Sequence, residues 1–206
     1  MGDNPLLKRA YALDGDLDKT RNVYADWAKS YDKDTIAGMG YVAPDIAAAA
    51  LASRVADDAL ILDAGCGTGL VGEALSRHGV TAIDGLDLSE EMLQVAAEKS
   101  VYRNLAVADL TAPLPIAPDT YDAAISVGVF TSGHVGPDAI ADLARVVKPG
   151  APIVLTVHEN VWEADLYPEY LSDMEAGGQL RIDEVVEAPY HEKEGYRCRL
   201  CLLLAA

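Results

Sequence analysis

From Ala59 onward the sequence changes period again and again, and this alternation limits the fold more than any other feature. ALILDA (59–64) reads as a strand, LVGEALSRHG (70–79) as a helix, VTAIDGLDL (80–88) as a strand and SEEMLQVAAEKS (89–100) as a helix. NLAVADL (104–110) and YDAAISVGVF (121–130) follow as strands, then PDAIADLARVV (137–147) as a helix stopped by KPGAP, and APIVLTV (151–157) as a fifth strand. Strands that alternate with helices imply a doubly wound, mostly parallel α/β sheet with helices on both faces. After Leu166 the alternation stops. LRIDEVVEAPY and YRCRLCLLLA, joined by HEKEG, read as an antiparallel C-terminal hairpin closing one edge. Ahead of the sheet, Tyr24, Trp27 and Tyr31 fall on one helical face, and Pro44 opens the helix-forming run DIAAAALASRV, so two N-terminal helices are expected. The stretch before Leu17 reads as a loose terminus or a short helix. The chain divides at about residue 58 into an N-terminal helical cover, 1–58, and a core, 59–206, within one structural domain.

The charge balance narrows the function. With 33 acidic against 16 basic residues and a formal charge of −17, the chain repels polyanions, and its longest basic cluster is Lys8 with Arg9, so no nucleic-acid substrate is expected. No apolar run approaches a membrane span and the first residues lack signal-peptide order, so a cytoplasmic protein with no membrane partner is expected. Cys66, Cys198 and Cys201 are too few for a disulfide framework. Cys198 and Cys201 spell C-x-x-C, but strand alternation sends their sulfurs to opposite faces, against a redox or metal site. No metal site is expected.

In an open parallel sheet the ligand lies beyond the carboxyl ends of the strands, commonly at the first strand-to-helix turn. Here that turn is DAGCGTGLVGE. A phosphate loop has the spacing of Gly67 and Gly72, but Glu73 stands where its lysine belongs. The dinucleotide pattern fits Gly65 and Gly67, but its third glycine is replaced by Leu70. The third pattern, Asp63, Gly65, Gly67 and Gly69 as D-x-G-x-G-x-G, resembles motif I of the class I S-adenosylmethionine (SAM) dependent methyltransferases.

That resemblance covers residues 61 to about 157 and implies a Rossmann-like fold with SAM as cofactor and S-adenosylhomocysteine (SAH) as product. Bare backbone at Gly65, Gly67, Thr68 and Gly69 would approach the methionyl part, and Asp63 would sit near its ammonium. Asp87, favoured over Asp84 because it ends the second strand, would take the ribose hydroxyls. Leu88 and Met92 would wall the adenine, Asp109 would accept from its amino group, and the Leu110 amide would contact its ring. Val127 and Gly128 would flank the methionyl chain. Phe130 would shape the acceptor pocket. His134 is the candidate catalytic base or orienting group, and His158 with Glu159 forms a second polar pair for the same cleft. His78 and His191 read as surface groups.

YADWAKSYDKDT with YVAP after it is similar to the small methyltransferase-like proteins of the Williams-Beuren region family, in which the N-terminal helix folds over the cofactor and Tyr31 would reach its carboxylate. The Asn/Asp-Pro-Pro-aromatic motif of nucleic-acid and glutamine amino methylators does not follow the fourth strand. With the acidic charge this points to in-line methyl transfer to a small-molecule O, N or S acceptor, by a monomer or homodimer. DLYPEYLSDMEAGGQLR is expected to help line the acceptor pocket. The rival reading is a non-catalytic SAM-binding partner or regulatory protein; a nicotinamide oxidoreductase comes third.

Overall fold

A computed structural model describes residues 5–206, with the Tyr11 side chain left aside. Residues 1–4 of the N-terminal stretch lie outside the described residues.

Seven strands form one sheet in the order β3-β2-β1-β4-β5-β7-β6. They are β1 (Leu60–Ala64), β2 (Ala82–Asp87), β3 (Asn104–Val107), β4 (Ala123–Phe130), β5 (Pro152–His158), β6 (Leu180–His191) and β7 (Tyr196–Ala205). The first five are parallel, β7 runs antiparallel to β5, and β6 pairs antiparallel with β7 as the C-terminal hairpin. The central strands are covered on both faces, which is why they read as continuous apolar runs. Leu62, Ala124, Leu155 and Cys201 face one side, against α6 (Ala139–Val146) and α8 (Tyr167–Ala176). Ile61, Ile125, Val154 and Cys198 face the other, against α3 (Ala43–Ala52) and α4 (Leu70–Arg77). The two hairpin cysteines therefore point to opposite faces, as strand alternation requires.

Three features depart from the sequence pattern. The helix carrying Tyr24, α2 (Leu17–Trp27), ends before Tyr31, and the chain continues through a turn into a π-helix at Lys33–Met39 that stops at Gly40 with φ of 70°. The three aromatic rings still cluster, Trp27 and Tyr31 at 4.9 Å and Tyr24 and Trp27 at 6.3 Å. Next, α3 packs on the sheet face and is not part of the cover. Its alanines Ala47 and Ala48 are fully buried because only small side chains admit so close a helix. Last, α8 is a ten-residue helix where no long helix was expected; Leu166 and Pro168 start it.

The cover proper is α1 (Pro5–Tyr11) with α2, which share a small core of Leu7, Ala10, Leu13, Val23, Trp27 and Met39. It is tied to the sheet's carboxyl edge by Gly15 N–H to the Gly133 carbonyl at 3.1 Å. At Gly133 an added Cβ would lie 1.9 Å from the Leu13 carbonyl oxygen, so the two loops touch backbone to backbone. No helix among the described residues is long and apolar enough to cross a membrane.

Candidate active site

Beyond β1 the chain turns through three left-handed glycines, Gly65, Gly67 and Gly69, with φ of 77°, 52° and 89°. Their roles differ. At Gly65 a Cβ would strike Val129 Cγ2 at 2.2 Å; at Gly69 it would press on Tyr102 and Lys99; at Gly67 it would meet nothing within 4 Å. Gly67 thus presents bare backbone to open space. The turn is held from β2: the amides of Gly65 and Cys66 both donate to the Leu86 carbonyl at 2.8 Å, and Gly67 N–H donates to Asp87 Oδ2 at 2.8 Å. The other Asp87 oxygen accepts from Ser89 N–H at 2.9 Å, and the Ser89 hydroxyl accepts from Met92 N–H, capping α5 (Glu90–Glu98). Among the described residues no cation reaches Asp87, and burial raises its pKa above the ordinary carboxylate value. A carboxylate so placed still has lone pairs for donors from outside the chain.

Around this turn lies a cavity of about 120 Å³. Of the residues singled out by sequence, Tyr31, Gly65, Gly67, Asp87, Leu88, Met92, Asp109, Leu110, Val127, Gly128 and His134 line it. Asp109 fixes its loop with one oxygen, Oδ1, which accepts from the Thr111 amide and hydroxyl at 2.8 and 2.6 Å. Asp84, the weaker candidate, is instead engaged with Asn104 at 2.9 Å.

Three others stand behind the wall. Asp63 is fully buried, accepts from the Tyr102 hydroxyl at 2.6 Å, and leaves Oδ1 without a partner. Desolvation raises its pKa to about 7, the Tyr102 hydrogen bond acting the other way. The Thr68 hydroxyl donates to Asp32, whose second oxygen takes Lys99 Nζ at 2.8 Å. Gly69 caps α4.

On the far side, Tyr24 and Tyr31 come down from the cover. The His134 Nδ1–H donates to the Ser132 carbonyl at 2.8 Å, which leaves Nε2 of the neutral ring to accept from the Tyr24 hydroxyl at 2.7 Å. Burial lowers the His134 pKa, so the ring stays neutral. Between Ser126 and Phe130 the β4–β5 register shifts, and Gly128, with φ of 80°, lies in that irregularity. A Cβ at Gly128 would sit 2.5 Å from the Tyr41 hydroxyl and 3.3 Å from that of Tyr190. A second, smaller cavity of about 40 Å³ adjoins the first there, sharing Tyr24, Tyr31, Gly128 and His134 as walls.

Several expectations need correction. Phe130 lines neither cavity; the β4 irregularity turns it into the α8 face, edge-on to Tyr167. Segment 165–181 lines neither of these two cavities, Tyr167 donating to the Val135 carbonyl at 3.2 Å; its Gln179 reaches only an open cleft beyond Leu110, Thr111 and Val135. Glu159 is exposed and accepts from Arg197 N–H at 3.0 Å, so only His158 of that pair enters a cavity wall. His191 is no surface group. It is 6 % exposed because Tyr41 bridges to it and the Gly40 carbonyl takes the next amide at 3.0 Å, covering the hairpin turn. Burial then pushes its pKa down to about 4. Such a long-range cover leaves no trace in the local pattern HEKEG. His78, by contrast, is exposed at the end of α4.

Known proteins resemble this chain in sequence and in fold. Residues 61–150 match a family described as "Methyltransferase domain". The human methyltransferase-like protein 27 is 38% identical over 149 residues, covering 70% of this chain and 60% of that protein. The 18S rRNA (guanine-N(7))-methyltransferase RID2 of Arabidopsis thaliana is 33% identical over 135 residues, covering 60% of this chain and 46% of that one. The chain thus spans only part of the length of these relatives. Among solved structures, a TehB-like SAM-dependent methyltransferase from Corynebacterium glutamicum superposes with a TM-score of 0.67 at 21% identity, covering 89% of this chain and 98% of that one. That likeness speaks for the fold.

Proposed function

We propose, for a chain that belongs through residues 61–150 to the class I SAM-dependent methyltransferases, that the cleft transfers a methyl group to a small-molecule acceptor. One observation carries the reading: a single cavity gathers the bare Gly67 backbone, the uncompensated Asp87 carboxylate and the apolar Leu88 and Met92 at the carboxyl ends of β1 and β2.

The residues suit the cofactor. Asp87 has the lone pairs a vicinal diol needs, Leu88 and Met92 make an apolar slot, and Asp109 keeps one oxygen for an amino group. Gly65 and Gly67 let the methionyl part approach, and Tyr31 supplies a hydroxyl from the cover. Asp63 acts from behind the turn as a buried acid with an unpartnered oxygen. Thr68 and Gly69 shape the turn without touching the cavity. SAM, once bound, supplies an electrophilic methyl on sulfur. The chain's own work is then to hold the acceptor in line and keep out water, which the α1–α2 cover does. His134 faces the space where the acceptor would lie, neutral and hydrogen-bonded to Tyr24.

Two observations support a small acceptor: the charge of −17, which opposes a polyanion, and a cleft roofed by the chain's own helices. The test is methyl incorporation from labelled SAM into pools of phenols, acids, amines and thiols, run beside rRNA transcripts. Transfer to a small compound and none to RNA is expected. RNA methylation would overturn the acceptor class, and SAM binding without transfer to either would favour the non-catalytic reading.

A further inference from the structure

The second cavity differs from the first in what it lacks. Among the described residues its walls include Trp27, Tyr31, Tyr190, Met39 and three of the four histidines, but no Asp, Glu, Lys or Arg. A carboxylate or ammonium there would be desolvated without a counter-charge, so the space suits an uncharged guest. At about 40 Å³ it has room for roughly three waters at ~10–15 Å³ apiece, which is the bulk of one six-membered ring. Aromatic walls favour a planar one.

The polar atoms are specific. His158 ends β5 and is 1 % exposed; its Nδ1 accepts from Asn160 N–H at 3.2 Å, so the neutral ring carries its proton on Nε2, which has no partner. A buried N–H without an acceptor calls for a ligand oxygen. His191 Nδ1 is likewise without a hydrogen bond, its nearest carboxylate oxygen being that of Glu194 at 3.7 Å. At the wall shared with the cofactor cavity stands the Tyr24–His134 pair.

We propose that this cavity seats the methyl acceptor, that the acceptor is an uncharged ring bearing a phenolic hydroxyl anchored by His158, and that Tyr24 relays the hydroxyl proton to His134. The proposal rests on the methyltransferase reading above. In the relay the acceptor's O–H bond breaks as its proton passes to Tyr24 Oη, while the proton of Tyr24 crosses the 2.7 Å hydrogen bond to His134 Nε2. The acceptor oxygen keeps the electron pair for the O–C bond that replaces the S–C bond. His134 ends as an imidazolium, steadied by the Ser132 carbonyl, and its charge balances the phenolate until the methyl is transferred; only then does it give its proton to water. A phenol matches a tyrosine relay because both hydroxyls have similar acidity, near ~10. An aliphatic alcohol would be far too weak an acid.

The test uses the whole chain saturated with SAH and titrated with 4-nitrophenol, whose ionised form absorbs visible light. Wild type is expected to bind it and to shift its ionisation to lower pH. Tyr24→Phe and His134→Gln should bind it without that shift, and His158→Phe should weaken binding at least tenfold, all with SAH affinity kept. Benzoate and benzylamine should bind at least tenfold more weakly than 4-nitrophenol. No binding of 4-nitrophenol, equal ionisation in Tyr24→Phe and His134→Gln, or indifference to His158→Phe would overturn the proposal. Failure of SAH itself to bind would instead strike the methyltransferase reading.

Discussion

The wall built on the β1 and β2 turns draws its residues from one stretch, 63 to 92, whereas the wall under α2 gathers Tyr24, Gly128, His134, His158 and His191 from separate segments. The first is backbone chemistry: amides, left-handed glycines and two buried acids. The second is side-chain chemistry, aromatic rings and neutral histidines. Their electrostatics are opposed too. Asp63 is an acid whose pKa burial raises, and His191 is a base whose pKa burial lowers. A cofactor shared by many enzymes can be held by one contiguous motif, while an individual acceptor requires parts brought together by the whole fold.

Asp63 gives the largest way to separate the two walls. It ionises at 3.8 in the unfolded chain and at about 7 in the folded one, so the folded state holds the extra proton between those values and stability falls as pH rises from about 4 to about 7. Asp63→Asn should therefore be more stable than wild type at pH 8, by about 4 kcal/mol, with the gap closing below pH 4. Urea unfolding at both pH values checks this, and SAH affinity of the variant should drop severalfold.

Glycine substitutions cut within the first wall. Gly65→Ala meets Val129 and keeps a positive φ, so urea unfolding should show a loss of about 3 kcal/mol. Gly67→Ala has open space and should lose about 1 kcal/mol from its φ alone. Its added methyl would instead enter the cavity, cutting SAH affinity at least tenfold by calorimetry.

The second wall should show the reverse pH slope. His191 takes up a proton near 6.5 when unfolded but only at about 4 when folded, so stability falls as pH drops through that window. His191→Asn should reduce the acid-side loss by about 3 kcal/mol. His134 and His158 are shifted the same way, so some slope remains. A parallel slope in variant and wild type would deny His191 its buried, neutral state.

The smallest effect concerns the tie between the walls. Asp32 holds Thr68 from the cover side and pairs with Lys99, which is 14% exposed. Asp32→Asn should cost about 1 kcal/mol and speed amide exchange in α1 and α2, with the sheet unchanged.

Much of this contrast was legible in advance, unevenly. The parallel core, the hairpin and the place of Asp87 rest on local period and on one turn, which is why the sequence sufficed. Ser89 before Glu90 and Glu91 marked its own cap. The wall under α2 was not legible in the same way. The local pattern puts Tyr24 on a helical face with Trp27 and Tyr31, Phe130 in a pocket and His191 at the surface. Each depends on a contact across the fold: the Tyr24 bond to His134, the break at Gly128 that turns Phe130 away, and the Tyr41 bridge over His191. A missing charge, as in the second cavity, also has no signature along the chain.

Everything above turns on whether the β1 and β2 turns bind an adenosyl sulfonium cofactor. Isothermal titration of ligand-free protein with SAM, SAH and NADH, repeated on Asp87→Ala, tests it most directly. Both adenosyl ligands should bind with micromolar affinity, the variant should lose them, and NADH should give no heat. Silence with SAM and SAH, or a preference for NADH, would contradict it.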